Sequence, residues 1–346
     1  MALRLESALV ALLTGTLLFN PAIGAEQAPR AALIRMAAGD MDRLLGNIEA
    51  STCAVAHAYE RLYQASTTAQ PSVIRESAED WIQQGHTIQF NTWGDTTSQP
   101  VYQSLQPAYY VYGDSAPEKK RFRQLGLLKR LAPALRVSHD TFDLSWTYLT
   151  TADGMMLLYP FLTIDEAVNN DPPTRQVFYT AADFARRQAG WTRPYLDLAG
   201  AGMMVTVSCP AFDGADGIGV ASNDMTLSQL SNRVLNRLAS ETGEIAYIVD
   251  ASGLVVGVSD PALRKELVDV NQDAGQAILY YGNVPAGKEG IAAGTQWIDS
   301  LTERLLSEAK AKPVGSVIHL ETETRSAWAM KLQHAGWVVV LVLPHG

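Results

Sequence analysis

Residues 191–197 read WTRPYLD, residues 204–212 read MVTVSCPAF and residues 214–230 read GADGIGVASNDMTLSQL. An aromatic turn, a β-rich run, a Gly/Asp turn, a second β-rich run and a helix start follow one another. Branched and aromatic side chains suit a pleated surface. Asp213-Gly214 and Asp216-Gly217 supply the backbone freedom that a hairpin turn needs. Thr226 stands at an N-cap position ahead of Leu227, Leu230, Val234 and Leu238, which share helical spacing. The stretch therefore predicts an antiparallel hairpin that runs into a helix, with Asp224 ending the second strand.

Upstream, residues 28–66 read as one long helix. Met41, Leu44, Leu45, Ile48, Thr52, Val55, Tyr59 and Leu62 recur at helical spacing, and Thr52 is the polar member of that stripe. A short helix is expected over 72–84, carrying Ile74, Trp81 and Ile82. An irregular aromatic-rich stretch follows from His86 to Pro117, and helix returns over 118–136. Thr141 to Tyr159 reads as a hairpin turning at Asp153-Gly154, with Trp146 and Tyr148 on the face of Leu144. Tyr179 to Gln188 reads as helix. Downstream, Ile245–Val249 and Leu254–Val258 read as strands about an Asp250–Gly253 turn. Val314–Leu320, Ala327–Leu332 and Trp337–Leu343 close an antiparallel sheet.

The chain has 346 residues, enough for two domains. Its 47% apolar content suits a packed core. The net charge of −9, with no basic run, argues against nucleic acid as a partner, because phosphate binding needs clustered cations. The densest basic stretch, Lys119 to Arg130, is interleaved with leucines and reads as a solvated helix face. Arg4, the apolar run Ala8–Phe19, Pro21 and the small residues to Ala25 read as an export signal, residues 1–25. Cleavage near Gly24 or Ala25 would leave a periplasmic or extracellular protein, and an uncleaved segment would be a membrane anchor. Cys53 and Cys209 could pair in an oxidising compartment, but two buried free thiols are the preferred expectation.

No enzyme chemistry is indicated. His57, His86, His139, His319, His334 and His345 are scattered, with no metal-ligand spacing. Ser208-Cys209-Pro210 lacks a nucleophile-elbow context. Gly214, Gly217 and Gly219 are hairpin glycines rather than a phosphate loop. No cofactor is expected.

The order of these elements resembles the double Cache family of extracytoplasmic sensor domains. The resemblance implies an α+β fold: a long N-terminal spine helix (26–66) with two PAS-like modules, each an antiparallel sheet flanked by helices. A membrane-distal, ligand-binding module would span 67–239 and a membrane-proximal one 240–346. Amino-acid-binding members carry an Arg ahead of an aromatic-Tyr pair, then Tyr-x-Asp, then an Asp after a Gly-Val strand. Phe178-Tyr179, Tyr195 with Asp197, and Asp224 are similar to the last three parts. The family's Arg position is Gln176 here, and Arg175 lies one residue earlier. A further family Tyr is missing near Asn170 and Asp171, with Tyr159 as its substitute from the neighbouring strand. Trp146 is a further candidate wall residue.

The chemistry of these residue types is that of amine recognition: carboxylates pair with ammonium and π-faces attract it. The resemblance thus implies a small-molecule ligand, an amino acid or another amine. An organic acid would follow if Arg175 dominated. Each residue also has a structural reading. Tyr195 and Asp197 suit a turn, Asp224 could cap the following helix, and Trp146 could be core. No kinase, methyl-accepting coil or cyclase follows Gly346, so the signal is expected to pass to a membrane-embedded partner.

Overall fold

The computed structural model describes residues 21–68, 81–90, 106–113, 119–167, 171–197, 202–239, 243–251, 253–265 and 296–344. The expected export signal lies mostly outside these residues. The architecture is α+β, with antiparallel sheets flanked by helices around a long N-terminal helix.

Helix α1 (Pro21–Thr68) is the spine. Ile34, Ala38, Met41, Leu45, Ile48, Thr52, Val55 and Tyr59 are buried, at alternating spacings of three and four residues. Such spacing puts one continuous stripe on one helix face. The polar Thr52 fits because its Oγ1 donates to the Ile48 carbonyl (2.8 Å) and accepts from Asn223 Nδ2 (2.8 Å).

The first sheet begins with β1 (Trp81–Gln84), β2 (Thr87–Phe90) and β3 (Ala108–Tyr112). These strands correct two expectations. Trp81 and Ile82 are extended rather than helical, and the aromatic stretch after His86 contributes two paired strands. The remainder of the 72–84 helix lies outside the described residues. After α2 (Lys119–Phe142) come β4 (Trp146–Thr151) and β5 (Met155–Tyr159). The single turns α3 (Ile164–Ala167) and α4 (Val177–Thr180) lead to the short strands β6 (Gly190–Trp191) and β7 (Tyr195–Leu196). The helix expected over 179–188 stops at Thr180. Gly190 must pass so close to this turn that a Cβ there would lie 1.9 Å from the Ala181 carbonyl oxygen.

The long hairpin β8 (Met203–Asp213) and β9 (Asp216–Thr226) turns at Gly214, whose φ is +61°. It is longer than read, since Asp224 sits inside β9, two residues before its end. A reciprocal capping box then starts α5 (Leu227–Leu230). The Thr226 N–H donates to Gln229 Oε1 (2.8 Å), and the Gln229 N–H donates to Thr226 Oγ1 (3.1 Å). The strand order is β1-β2-β3-β5-β4-β9-β8-β6, with β7 also on β8.

The second sheet comprises β10 (Ile245–Val249), β11 (Val255–Val258), β12 (Val317–Glu321), β13 (Arg325–Lys331) and β14 (Val338–Pro344), in the order β11-β10-β14-β13-β12. The helix at Gln296–Ala311 covers one face, burying Leu301 and Leu305 against Tyr247 and Val340. The opposite face, with Trp328, Val339 and Leu341, packs against Ile34–Ile48 of α1 and against Val205 and Val207 of the first sheet.

Both sheets therefore share the spine. Glu49 of α1 ties them directly: Oε1 accepts the Trp191 indole N–H (2.6 Å), and Oε2 lies 2.7 Å from His334 Nδ1. Trp191 and Trp337 meet edge-on, 5.3 Å between ring centroids. Higher up, Val55, Ala56 and Tyr59 pack with Leu128, Leu131 and Leu135 of α2 on the first sheet. Here a disulfide joins Cys53 to Cys209, correcting the free-thiol expectation. Helix stripe and strand face bring the two sulfurs together in the same core, which local sequence does not reveal.

Candidate functional site

Side chains alternate across a strand. One face of the first sheet meets α1 and α2; the other carries Tyr110, Tyr148 and Leu158, with Trp146 and Phe178 beside them. A cavity of about 300 Å³ opens on that second face. This is the small end of the range for ligand pockets. Its floor is Tyr110 and Tyr112 of β3, Met156 and Leu158 of β5, Trp146 and Tyr148 of β4, and Asp224 of β9. Tyr195 and Asp197 close one side; Leu162, Glu166, Gln176 and Phe178 contribute from the turns above.

Specific bonds hold those turns over the sheet. The Tyr110 hydroxyl and Gln89 Nε2 both donate to the Leu162 carbonyl. Ser208 Oγ donates to the Phe178 carbonyl, and the Phe178 ring stands edge-on to Tyr148, 5.1 Å between centroids. Glu166 Oε2 accepts from the N–H and hydroxyl of Thr163, fixing α3 at its first turn.

Asp224 is the centre of the polar network. Its Oδ1 accepts from the Tyr148 hydroxyl (2.9 Å) and from Thr206 Oγ1 (2.6 Å). Thr206 spends its one hydroxyl proton there, so Tyr195, 2.6 Å from Thr206 Oγ1, is the donor in that second contact. Both bonds to Asp224 end on one oxygen, leaving Oδ2 without a donor among the described residues. Burial raises the Asp224 pKa from 3.8 to about 7, against the lowering effect of the Thr206 and Tyr148 hydrogen bonds. Burial, reinforced by the Asp224 charge, also pushes the Tyr148 and Tyr195 phenols well above their ordinary value, so both keep their protons to donate.

Of the residues singled out in the sequence, Trp146, Phe178, Tyr195, Asp197 and Asp224 converge on this cavity. Three do not. Tyr159 lies on the other face of the sheet, in the core with α1 and α2, because one step along β5 from Leu158 reverses facing. Arg175 is exposed in the 3₁₀ turn Pro173–Arg175, and its neighbour Gln176 reaches the cavity instead. Tyr179 points away, with its ring 5.7 Å from that of Phe184. Tyr110, Tyr112, Tyr148, Glu166, Asp171 and Gln176 are further polar or aromatic members of the lining. The pairs Tyr110/Tyr112 and Trp146/Tyr148 were detectable as same-face aromatics at a spacing of two.

Among the described residues no group of His, Cys, Asp and Glu is arranged to hold a metal ion. Nor is any of their helices long and apolar enough to cross a membrane.

Residues 144–232 match the family model described as methyl-accepting chemotaxis protein-like, first PDC sensor domain. The match spans Trp146, Tyr148, Phe178, Tyr195, Asp197 and Asp224. The chain is 29% identical over 233 residues to the methyl-accepting chemotaxis protein McpC of Bacillus subtilis (strain 168). That alignment covers 59% of this chain and 34% of McpC, so the chain spans about a third of that relative's length. Among solved structures, the ligand-binding domain of the Pseudomonas fluorescens chemoreceptor CtaA with L-alanine is 16% identical, with a TM-score of 0.38, covering 62% of this chain and 79% of CtaA's. The Pseudomonas aeruginosa receptor domain PctC with GABA is 20% identical, with a TM-score of 0.37, covering 62% and 80% of the two chains. Residues 144–232 are thus similar in sequence to a chemoreceptor-type PDC sensor domain.

Proposed function

We propose that this chain is an extracytoplasmic sensor domain of the double Cache type, which binds a small amine-bearing metabolite in the cavity on the first sheet. The observation that carries this reading is Asp224: a buried carboxylate with one oxygen held by Tyr148 and Thr206 and the other without a donor among the described residues, in a wall of aromatic rings. An ammonium at Oδ2 would complete the pairing and meet the π-faces of Trp146 and Phe178. The similarity of 144–232 to a PDC sensor domain supports the sensor role. The Cys53–Cys209 disulfide supports an oxidising compartment, periplasmic or extracellular.

Residues 67–239 form the ligand-binding module in this reading, and 240–346 the membrane-proximal one. The mechanism is binding without chemistry. Asp224 and Asn223 are neighbours on β9 that face opposite sides. Asp224 meets the ligand, while Asn223 Nδ2 donates to Thr52 of α1 and to Ser138 of α2. A ligand-driven shift of β9 thereby reaches the spine helix, and from it a membrane-embedded signalling partner. An organic acid fits poorly, because Arg175 stands outside the cavity.

A thermal-shift screen of amino acids, amines and organic acids tests the reading. Ligand at a hundred times its dissociation constant adds about 2.7 kcal/mol, which is several degrees for a protein of this size at ~2–4 °C per kcal/mol. A response confined to amine-bearing compounds is expected. A flat screen, or one in which only organic acids respond, would overturn it.

A further inference from the structure

Residues 191–197 run from the junction of the two sheets to the cavity. At the cavity end Tyr195, Leu196 and Asp197 belong to the lining, and the Tyr195 hydroxyl reaches Asp224 through Thr206 Oγ1. At the other end Trp191 donates its indole N–H to Glu49 of α1 (2.6 Å) and meets Trp337 edge-on. Trp337 immediately precedes β14, the central strand of the second sheet. Arg193 adds a second tie to that sheet, with its Nε 3.4 Å from Asp250 Oδ2. Asp250 is fixed in turn, because its Oδ1 accepts the Leu254 N–H (2.9 Å) across the turn between β10 and β11.

The backbone between these ends pairs unevenly with β8. The Thr192 N–H donates to the Thr206 carbonyl (2.8 Å), and the Thr206 N–H donates to Thr192 Oγ1 (2.9 Å). Tyr195 is the partner of Met204. Three steps along the segment thus span two along β8, which is the arithmetic of a bulge. Pro194 inside that step has no N–H to give to the neighbouring strand. An interrupted ladder yields more readily than the regular strands around it. The buried Thr206 marks where the two ends meet: its backbone holds Thr192, and its hydroxyl contacts Tyr195 and Asp224.

Resting on the cavity as the ligand site, we propose that residues 191–197 are a strap that reports occupancy of the cavity to the second sheet. A ligand seated against Asp224, Tyr195 and Asp197 repositions the cavity end. The step at Arg193-Pro194 takes up the change, and Trp191 and Arg193 carry it to Trp337 and Asp250. Contiguous packed and hydrogen-bonded groups of this kind can couple two sites. The route is separate from that through Asn223, which leads from β9 to the spine helix.

Hydrogen exchange of residues 253–258 and 332–338 tests the strap. The common L-amino acids, putrescine, histamine and phenethylamine serve as probes, and the tightest binder by calorimetry is carried forward. In the parent its binding is expected to change exchange in both segments by about threefold or more. Arg193 is exposed, so Arg193→Ala leaves the core intact; it should abolish the change at 253–258 and leave that at 332–338. Trp191→Phe removes the indole N–H that Glu49 accepts; it should abolish the change at 332–338 and leave that at 253–258. Both variants, shown to be folded by circular dichroism, should bind the probe within about threefold of the parent. A bound parent with neither segment altered overturns the strap and leaves the ligand site standing. So do variants that keep the full response, or folded variants that lose binding, which would place these residues in holding the ligand. Silence of every probe overturns the amine reading and the strap with it.

Discussion

The Tyr148 hydroxyl donates to Asp224 Oδ1 at 2.9 Å across the adjacent strands β4 and β9, where Trp146 is paired in register with Asp224. Thr206 on β8 brings a second donor to the same oxygen. Three neighbouring strands thus aim a single carboxylate, and the sheet fixes its direction better than a loop could. The burial that makes Asp224 a strong partner for a cation also makes its charge costly without one.

That cost sets a pH dependence. With its pKa raised to about 7, Asp224 is largely protonated in the empty domain at pH 5.5. An ammonium ligand requires the ionised form, so binding must expel a proton below pH 7. Amine affinity is expected to rise between pH 5.5 and 7.5, approaching tenfold per unit at the acid end, and then to level off. The amine stays charged throughout, as a lysine of pKa about 10.4 does. Calorimetry in buffers of different ionisation heat measures the proton release directly.

For the empty domain the sign reverses. A carboxyl whose folded pKa lies above its unfolded value binds its proton more readily when folded. It contributes stability that is fully present below 3.8 and is lost as pH rises through about 7. Asp224→Asn cannot titrate. The stability of the parent relative to this variant should therefore fall from pH 4 to pH 7 and stay constant above, as measured by urea unfolding at each pH.

On the other face of β9, Asn223 is buried and donates to Thr52 and Ser138. Asn223→Ala leaves both hydroxyls in the core short of a partner, a loss of about 1–3 kcal/mol. If β9 carries the ligand's effect to α1, the variant should still bind amine while the ligand-dependent change at α1 disappears. Hydrogen exchange of residues 48–56 with and without ligand reads both effects.

The legible parts of this fold are those with a strong local period. The α1 stripe, including its one polar member, the β8–β9 hairpin and the Thr226 cap all follow from spacing and turn residues alone. The short strands β1 to β3 were hidden, because four or five extended residues between polar segments gain their stability from pairing that lies far away in sequence. That loss had a consequence at the site: Tyr110 and Tyr112 of the cavity floor come from β3. Asp224 was found because it keeps its place in a resembled motif. Tyr159 was misplaced by a single residue of facing, which only the paired sheet decides, whereas Arg175 and Tyr179 are turned from the cavity by the short helical turns that carry them. The meeting of Cys53 and Cys209, 156 residues apart, is a tertiary fact of the same kind.

The disulfide staples α1 to β8 behind the cavity. Closing so long a loop restricts the unfolded chain, and its removal costs about 2–5 kcal/mol. Cys53→Ala combined with Cys209→Ala should lower the denaturant midpoint accordingly. Thiol titration of the unfolded parent without reductant should find no free sulfhydryl.

The central claim is that Asp224 holds a ligand ammonium. Its most direct test is calorimetric titration of the parent and of Asp224→Asn at pH 7.5, using the best amine from the screen, with both proteins shown to be folded by circular dichroism. Asn keeps the shape and the acceptor for Tyr148 but loses the charge. The account predicts a loss of roughly 2–5 kcal/mol in the variant, as for other desolvated charge pairs broken on one side. Binding of equal affinity in a folded Asp224→Asn protein would contradict it.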